Sequence, residues 1–273
     1  MANVLDRFKM QNRTAFVTGG VGLLGSGFSR TLAQAGAAVA VADLDLNKAQ
    51  ELADAIEAEG GHALGVEIDV TNPDSTRAAM AATRDVFGSL DVLVCSAAID
   101  PKFEPHLGQN NQDSFEDFPL SAWQQAVDVN LTGAFLSAQA AAPHMLEGGQ
   151  GVIVLIGSIY GIGGPDQRLY ERPNGSQQYK PPFYSATKAG LLGLTRYLAA
   201  YYARQNIRVN ALSPGGVYND HDEEFTQAYS QRTMLGRMAE KEELNASMLF
   251  LSSDASSYMT GANLVVDGGW TAW

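Results

Sequence analysis

The sequence predicts a doubly wound α/β domain built on a parallel sheet, and two observations lead to that prediction. Seven short apolar runs rich in β-branched residues alternate with amphipathic stretches of helical periodicity. A glycine-rich segment joins the first apolar run to the first amphipathic stretch. Such alternation places helices on both faces of a parallel sheet. No linker interrupts the 273 residues, so we expect a single domain over 1–273.

The predicted strands are, in chain order, TAFVT, AAVAVAD, HALGVEID, LDVLVCSA, GVIVLIGS, IRVNALS and ANLVVDGG. Continuous apolar runs of this kind are typical of strands buried on both faces. The predicted helices lie in the stretches 23–36, 47–60, 73–88, 122–145, 184–205 and 241–255. Several of them end at a glycine, a common helix terminator.

Composition and charge argue against several classes of protein. A net charge of −12 disfavours a nucleic-acid partner, because such partners are bound through basic surfaces. The single cysteine, Cys95, excludes an intrachain disulfide and fits a reducing compartment. The four histidines lack metal-site spacing, and no apolar run has the length of a membrane span. With no signal-peptide pattern at the start, we expect a cytoplasmic protein with a small-molecule substrate and no membrane partner.

Three long polar segments interrupt the alternation, at 99–119, 161–182 and 215–236. Each follows a predicted strand, and ligands bind at the carboxyl edge of such sheets. Connections of this length are often functional. We therefore expect these segments to form the substrate site, with the third acting as a lid.

The glycine loop in TAFVTGGVGLLG fits two dinucleotide-binding patterns. Gly20, Gly22 and Gly25 form G-x-G-x-x-G, whereas Thr18, Gly19, Gly22 and Gly25 form T-G-x-x-G-x-x-G. In either register the missing side chains let the backbone approach a pyrophosphate, whose charge the next helix N-terminus favours. The loop therefore predicts a bound dinucleotide.

Asp43, at the end of the second strand, indicates which dinucleotide. A carboxylate there accepts hydrogen bonds from the adenosine ribose diol and would repel a 2′-phosphate. Residues 18–26 and 43–47 contain no Arg or Lys to neutralise a phosphate, so we expect NAD in preference to NADP. The alternative for Asp43 is a helix cap or a solvated turn. Asp69 is expected either to accept from the adenine amine or to cap the next helix.

A tyrosine and a lysine in PFYSATKAG indicate proton chemistry. Tyr184 and Lys188 are four residues apart, on one face of a helix. A neighbouring ammonium should stabilise the phenolate and lower the pKa of the tyrosine, which is near 10 in water. Ser158 ends the fifth strand run, where it can hydrogen-bond a substrate oxygen or simply shape the turn.

These motifs resemble those of the short-chain dehydrogenase/reductase family, in its compact single-domain branch, over nearly the whole chain. The resemblance implies a Rossmann-type sheet of about seven strands in the order 3-2-1-4-5-6-7, a homodimer or homotetramer, and catalysis by Ser158, Tyr184 and Lys188. Asn130 matches a fourth catalytic residue, which bends its helix and holds a water in a proton relay from the lysine. The implied cofactor contacts are Gly19, Gly22, Leu23, Leu24, Asp43, Asp69, Val70, Ala97, Tyr184, Lys188, Pro214, Gly215 and Val217.

Three departures from the family pattern accompany this resemblance. Leu23 stands where the compact branch has a glycine, and Gly22 gives a register closer to the sugar-nucleotide epimerase branch. Residues 95–98 read Cys-Ser-Ala-Ala in place of Asn-Asn-Ala-Gly. Asn219 corresponds to a threonine that often contacts the nicotinamide. We expect the same cofactor on a slightly different turn.

The expected function is an NAD(H)-dependent oxidoreductase that interconverts a secondary alcohol and a ketone on a small, polar, sugar-like and anionic substrate. Polar side chains in the three long segments carry this prediction, and a looser resemblance to a subgroup linked to bacterial flagellin-sugar and surface-glycan modification agrees with it. The alternatives are a 3-oxoacyl-type reductase and a non-catalytic dinucleotide sensor. The expected substrate contacts are Lys102, Arg168, Tyr170, Lys180 and Asn219.

Overall fold

The computed structural model describes residues 3–100, 114–171, 175 and 177–273. They contain one seven-stranded parallel sheet in the order β3-β2-β1-β4-β5-β6-β7, which confirms the predicted fold. The strands are β1 Thr14–Thr18, β2 Ala38–Asp43, β3 His62–Glu67, β4 Val92–Cys95, β5 Gly151–Ile156, β6 Ile207–Pro214 and β7 Asn263–Val266.

Eight α-helices of the described residues flank this sheet. They are α1 Gly25–Gln34, α2 Leu46–Ala58, α3 Pro73–Phe87, α4 Leu120–Val127, α5 Gly133–Gly148, α6 Pro182–Tyr201, α7 Glu223–Ser230 and α8 Asn245–Ser252. Short 3₁₀ turns occur at Val4–Phe8, Ile159–Gly161, Gln167–Tyr170, Lys241–Leu244 and Asp254–Ser256. Within the described part of the chain, no helix is long and apolar enough to cross a membrane.

Two apolar layers join the sheet to the helices. Phe16 and Val17 are neighbours on β1 and enter opposite layers, because side chains alternate along a strand. Phe16 lies in a cluster with residues of α3, α5 and α6, whereas Val17 lies in a cluster with residues of α1, α2 and α8. Burial on both faces explains the apolar sequences of the inner strands, whereas β3 and β7 at the two edges of the sheet are only partly buried.

Two predicted segments differ from the observed ones. The stretch 122–145 is helical as predicted, but a π-helical turn at Asp128–Thr132 lies between α4 and α5. The segment 215–236 is not irregular throughout, since it contains α7, whose first turn is capped by Asp222 accepting from Phe225 N at 2.8 Å. Sequence periodicity missed α7 because its eight residues are flanked by polar turns.

Candidate active site

Ser158 and Tyr184 come together although 26 residues separate them, because α6 packs directly on the turn that follows β5. A side-chain carbon at Gly161 would lie only 2.6 Å from the backbone carbon of Lys188, so the glycine permits this close approach. Ser158 faces the Tyr184 hydroxyl and acts to lower its pKa. Ser158 Oγ also accepts from Tyr160 N at 3.1 Å, so the serine shapes its turn as well as facing the tyrosine.

Lys188 lies beneath the tyrosine, one turn further along α6. Its side chain is buried, and Nζ donates to Ile156 O at 2.8 Å. The ammonium nitrogen is 5.6 Å from the centroid of the Tyr184 ring. Burial lowers the pKa of Lys188 to about 8, because desolvation disfavours the charged form.

The pKa of Tyr184 moves in the direction opposite to the one expected from Lys188. Burial raises it, and the negative charge of Asp100 raises it further, whereas Ser158 lowers it. Lys188 does not reverse the shift, because its ammonium donates to a backbone carbonyl and is itself desolvated. In the protein without cofactor, the Tyr184 hydroxyl is therefore protonated at neutral pH.

Asn130 lies in the π-helical turn and is fully buried. Its side chain binds both backbone groups of Ile99: Oδ1 accepts from Ile99 N at 2.6 Å, and Nδ2 donates to Ile99 O at 3.0 Å. A π turn is a feature at which helices commonly bend, and the family resemblance implies a bend at this residue. The paired amide also anchors the start of the first long segment, one residue before Asp100.

The glycine loop has the shape of a pyrophosphate cradle. Gly19 has a φ of +62°, and a side-chain carbon there would lie 2.7 Å from Ala97 Cα. At Gly25 the same carbon would lie 2.0 Å from Gly19 O, so α1 can begin there only with glycine. The N-terminus of α1 has no side-chain cap at Leu24. Uncapped N–H groups above a bare backbone turn fit an anionic dinucleotide bridge.

The departure at Leu23 follows from the exposure of that position. The Leu23 side chain is 38% exposed on the outside of the turn, so a glycine is not required there. Gly22 N donates to Gly19 O at 3.0 Å, and this hydrogen bond closes the turn before Leu23. A slightly different turn around the same cradle is what the sequence predicts.

Asp43 ends β2 beside this cradle. Its carboxylate accepts from Val21 N at 3.2 Å, which ties β2 to the glycine loop. The neighbouring residues Leu44, Asp45, Leu46, Asn47 and Glu67 line an open groove of about 540 Å³ with it. The carboxylate therefore borders an open groove next to the glycine loop. Lys48, one residue beyond the segment 43–47, adds a cation close in sequence to this groove and pairs with Asp45 at 2.9 Å.

The remaining predicted contacts of the adenosine half have structural partners of their own. Asp69 lies past the end of β3 and accepts from the backbone and hydroxyl of Thr71 at 2.9 and 2.6 Å, whereas the helix cap is Asn72. Val70 is buried against Gly133. The backbone N–H groups of Ser96 and Ala97 donate to Thr18 Oγ1. These two hydrogen bonds hold the chain after β4, where the family pattern has asparagines.

The segment after β6 begins at the carboxyl end of that strand. Pro214 ends β6, and Gly215 N donates to Val266 O at 2.9 Å. Val217 forms a β-bridge with Ala239. Asn219 is half-buried, and its backbone N–H donates to His221 Nδ1 at 3.2 Å.

The predicted substrate residues differ in how close they lie to Tyr184 and in how exposed they are. Lys180 lies beside Tyr184, since its Nζ is 4.1 Å from the Tyr184 ring centroid and 2.5 Å from Asp100 Oδ1. Arg168 is 77% exposed and forms a two-point ion pair with Asp166 at 2.8 Å for both contacts. Tyr170 is buried, with its hydroxyl 3.3 Å from that of Tyr160. Lys102 lies outside the described residues.

An aromatic wall beside Tyr184 was not predicted. Tyr160 lies edge-on to the Tyr184 ring at 6.4 Å and to Trp270 at 6.5 Å, and Trp270 stacks on Tyr229 at 4.4 Å. These side chains come from three different sheet-edge segments. No local pattern links them: Tyr229 lies in a segment expected to line the site and Tyr160 lies next to one, whereas Trp270 follows the seventh strand. Aromatic rings as well as charged groups therefore surround Tyr184.

Comparison with known proteins agrees with this geometry. A family model described as enoyl-(acyl carrier protein) reductase matches residues 22–271. The chain belongs to the short-chain dehydrogenase/reductase family. Members of this family bind a nicotinamide dinucleotide, and secondary-alcohol and sugar dehydrogenases are among its homologues.

Two curated relatives and one solved structure illustrate the family. The chain is 38% identical to cis-4-hydroxycyclohexanecarboxylate dehydrogenase from Sinomonas cyclohexanicum, over 95% of the chain and 97% of the relative. It is 35% identical to an L-rhamnose 1-dehydrogenase (NAD(P)(+)) from Azotobacter vinelandii, over 94% and 96%. A gluconate 5-dehydrogenase from Burkholderia cenocepacia, in complex with NADP and tartrate, superposes with a TM-score of 0.86 at 32% identity, covering 99% and 100%.

Proposed function

We propose that this family member is an NAD(H)-dependent oxidoreductase that interconverts a secondary alcohol and a ketone on a small hydroxylated acid. The observation that carries the proposal is the cluster of Ser158, Tyr184 and Lys188 with a second ammonium, that of Lys180, over the tyrosine ring. The segments 99–119, 161–182 and 215–236 form the substrate site in this proposal.

Each residue of the site has a separate role in the proposed reaction. In oxidation, Ser158 holds the reacting oxygen and Tyr184 takes its proton, once the positive charges of Lys188 and of the bound nicotinamide stabilise the phenolate. Positioned groups accelerate such a proton transfer about 10²–10⁴-fold. Lys188 holds the nicotinamide ribose and, with Asn130 and water, returns the proton to solvent. The glycine loop holds the pyrophosphate, and Asp43 binds the adenosine ribose. When bound, the nicotinamide supplies the hydride transfer.

NAD is the preferred cofactor in this proposal because the Asp43 carboxylate borders the adenosine groove. The gluconate 5-dehydrogenase bound to NADP makes this a point to test directly. Asp43→Ser should lower the ratio of kcat/KM for NAD over NADP at least ~10-fold, since it removes both the ribose acceptor and the repulsion of a 2′-phosphate. Kinetics with both cofactors measure the ratio.

Lys48→Ala is the matched control for that variant, because Lys48 is the cation nearest in sequence to the same groove. It should leave the NAD kcat/KM within about twofold, since its ammonium is held by Asp45. A wild-type enzyme that prefers NADP would refute the cofactor assignment.

The substrate is an acid because Lys180 presents a cation at the reaction centre. Charge-assisted hydrogen bonds from an ammonium to a carboxylate are about twice as strong as neutral ones. The aromatic wall suits a ring or a folded carbon chain, and the looser resemblance to surface-glycan enzymes favours a sugar-like acid. A 3-oxoacyl-type reductase, the alternative, is favoured by the description of the matched family model. It would place an acyl chain against these charges.

Kinetics with matched acids and neutral compounds test this substrate class. The panel contains 4-hydroxycyclohexanecarboxylate, gluconate, cyclohexanol and 3-oxoacyl thioesters. We expect turnover of an acid, and Lys180→Met should raise its KM about tenfold while changing the KM of the neutral alcohol less than twofold. The methionine retains the apolar stem and removes only the charge.

Turnover confined to thioesters would instead support the acyl reductase. If no compound turned over above the Tyr184→Phe background, the dinucleotide sensor would be favoured. An unchanged KM for the acid in Lys180→Met would refute the role of that ammonium.

A further inference from the structure

The ion pair between Asp100 and Lys180 joins two of the long segments at the reaction centre. The Lys180 side chain is 9% exposed, and its Nζ lies 2.5 Å from Asp100 Oδ1. The Asp100 side chain is 45% exposed. A buried ammonium needs a counter-ion close by, because its desolvation is costly. An exposed carboxylate has no such need, since water can replace the lost contact.

Side chains from elsewhere in the fold bind the backbone at or next to each of the two charged residues. Ile99, next to Asp100, is bound through its N–H and its C=O by Asn130. Lys180 N donates to Gln167 Oε1 at 2.9 Å. The pair therefore stands at a defined position beside the Tyr184 ring, 4.1 Å from the lysine nitrogen.

A substrate carboxylate arriving there encounters charges of both signs. The ammonium groups of Lys180 and Lys188 attract it, whereas the Asp100 carboxylate repels it. The charge of Asp100 acts across the site, because it contributes an upward shift to the pKa of both Tyr184 and Lys188. For Lys188 the effect of burial is larger, so its pKa is still lowered overall. Displacement of the aspartate removes this repulsion and lets the substrate approach the buried cation more closely.

We propose that Asp100 is the resident counter-ion of Lys180 and a specificity-determining residue for the reaction: it holds the ammonium in the empty site and releases it to the substrate carboxylate. This inference rests on the proposed function for the acidic substrate class. The difference in exposure determines which partner moves, because Asp100 regains water on release while Lys180 stays buried. Asp100 thereby competes with every anionic substrate and lowers its affinity.

Equilibrium binding of a non-reactive pair of ring compounds tests the proposal. Cyclohexanecarboxylate and the neutral cyclohexanecarboxamide are titrated into the full chain with NADH at neutral pH, by calorimetry. Asp100→Asn should lower the Kd of the carboxylate about tenfold and leave the Kd of the carboxamide within about twofold. Asp85→Asn, which removes one negative charge from an exposed position on α3 outside the three long segments, should change neither value.

The double variant Asp100→Asn with Lys180→Met shows the route of the effect. If Asp100 acts through Lys180, the gain in carboxylate affinity disappears in the double variant. A gain that persists there, an unchanged or weaker carboxylate Kd in Asp100→Asn, or no carboxylate binding to either protein would overturn the proposal. Because binding needs no turnover, a protein that oxidises no alcohol would refute the proposed function and still report on Asp100.

Discussion

Tyr184→Phe is expected to slow turnover at least ~100-fold, because it removes the group proposed to exchange the substrate proton. The ring remains, so its contacts with Tyr160 and with the Lys180 ammonium are kept. NADH affinity and Tm should therefore stay close to their wild-type values. Single-turnover kinetics, NADH fluorescence titration and thermal melts measure the three quantities.

Tyr197→Phe is the matched control on the same helix. Tyr197 is 63% exposed on α6 and stacks on Tyr201 away from the substrate segments. Its loss of a hydroxyl should leave kcat unchanged. Wild-type turnover in Tyr184→Phe would move the proton chemistry to another residue, with the nearby Tyr160 hydroxyl as the first to examine.

Lys188→Met is the second substitution with a large expected effect. The proposed roles of the lysine predict a kcat lower by ~100-fold or more and a Kd for NADH raised about tenfold, since the ammonium acts on both the proton path and the nicotinamide ribose. A buried ammonium is desolvated at a cost, which its lowered pKa of about 8 reflects. Methionine fills the same space without that cost, although it leaves Ile156 O without its Lys188 donor.

Thermal melts separate the chemical role of Lys188 from a structural one. We expect the Tm of Lys188→Met to remain near the wild-type value, because the relief of desolvation offsets the lost hydrogen bond. Lys241→Met, an exposed lysine at a 3₁₀ turn, is the control and should change neither kcat nor the NADH Kd. A large fall in Tm with unchanged NADH affinity would assign Lys188 a structural role instead.

The sequence by itself determined the fold and the principal candidate residues of the site. Strand and helix periodicities are local, so seven apolar runs and the glycine loop were enough to predict the parallel sheet, and the family resemblance supplied its order. Tyr184 and Lys188 are neighbours on one helix, and Gly19 and Gly25 lie in one turn, so their proximity follows from spacing along the chain. Ser158 was placed by resemblance rather than by spacing.

Only the tertiary structure decided what surrounds those residues. Asp100 and Lys180 are eighty residues apart and meet because two segments fold over the same edge of the sheet. The aromatic wall joins Tyr160, Tyr229 and Trp270 in the same way. The direction of the Tyr184 pKa shift was predicted wrongly from a single neighbouring lysine. A pKa depends on the desolvation and the charges produced by every group packed around the side chain, and the spacing of residues along the sequence does not reveal that packing.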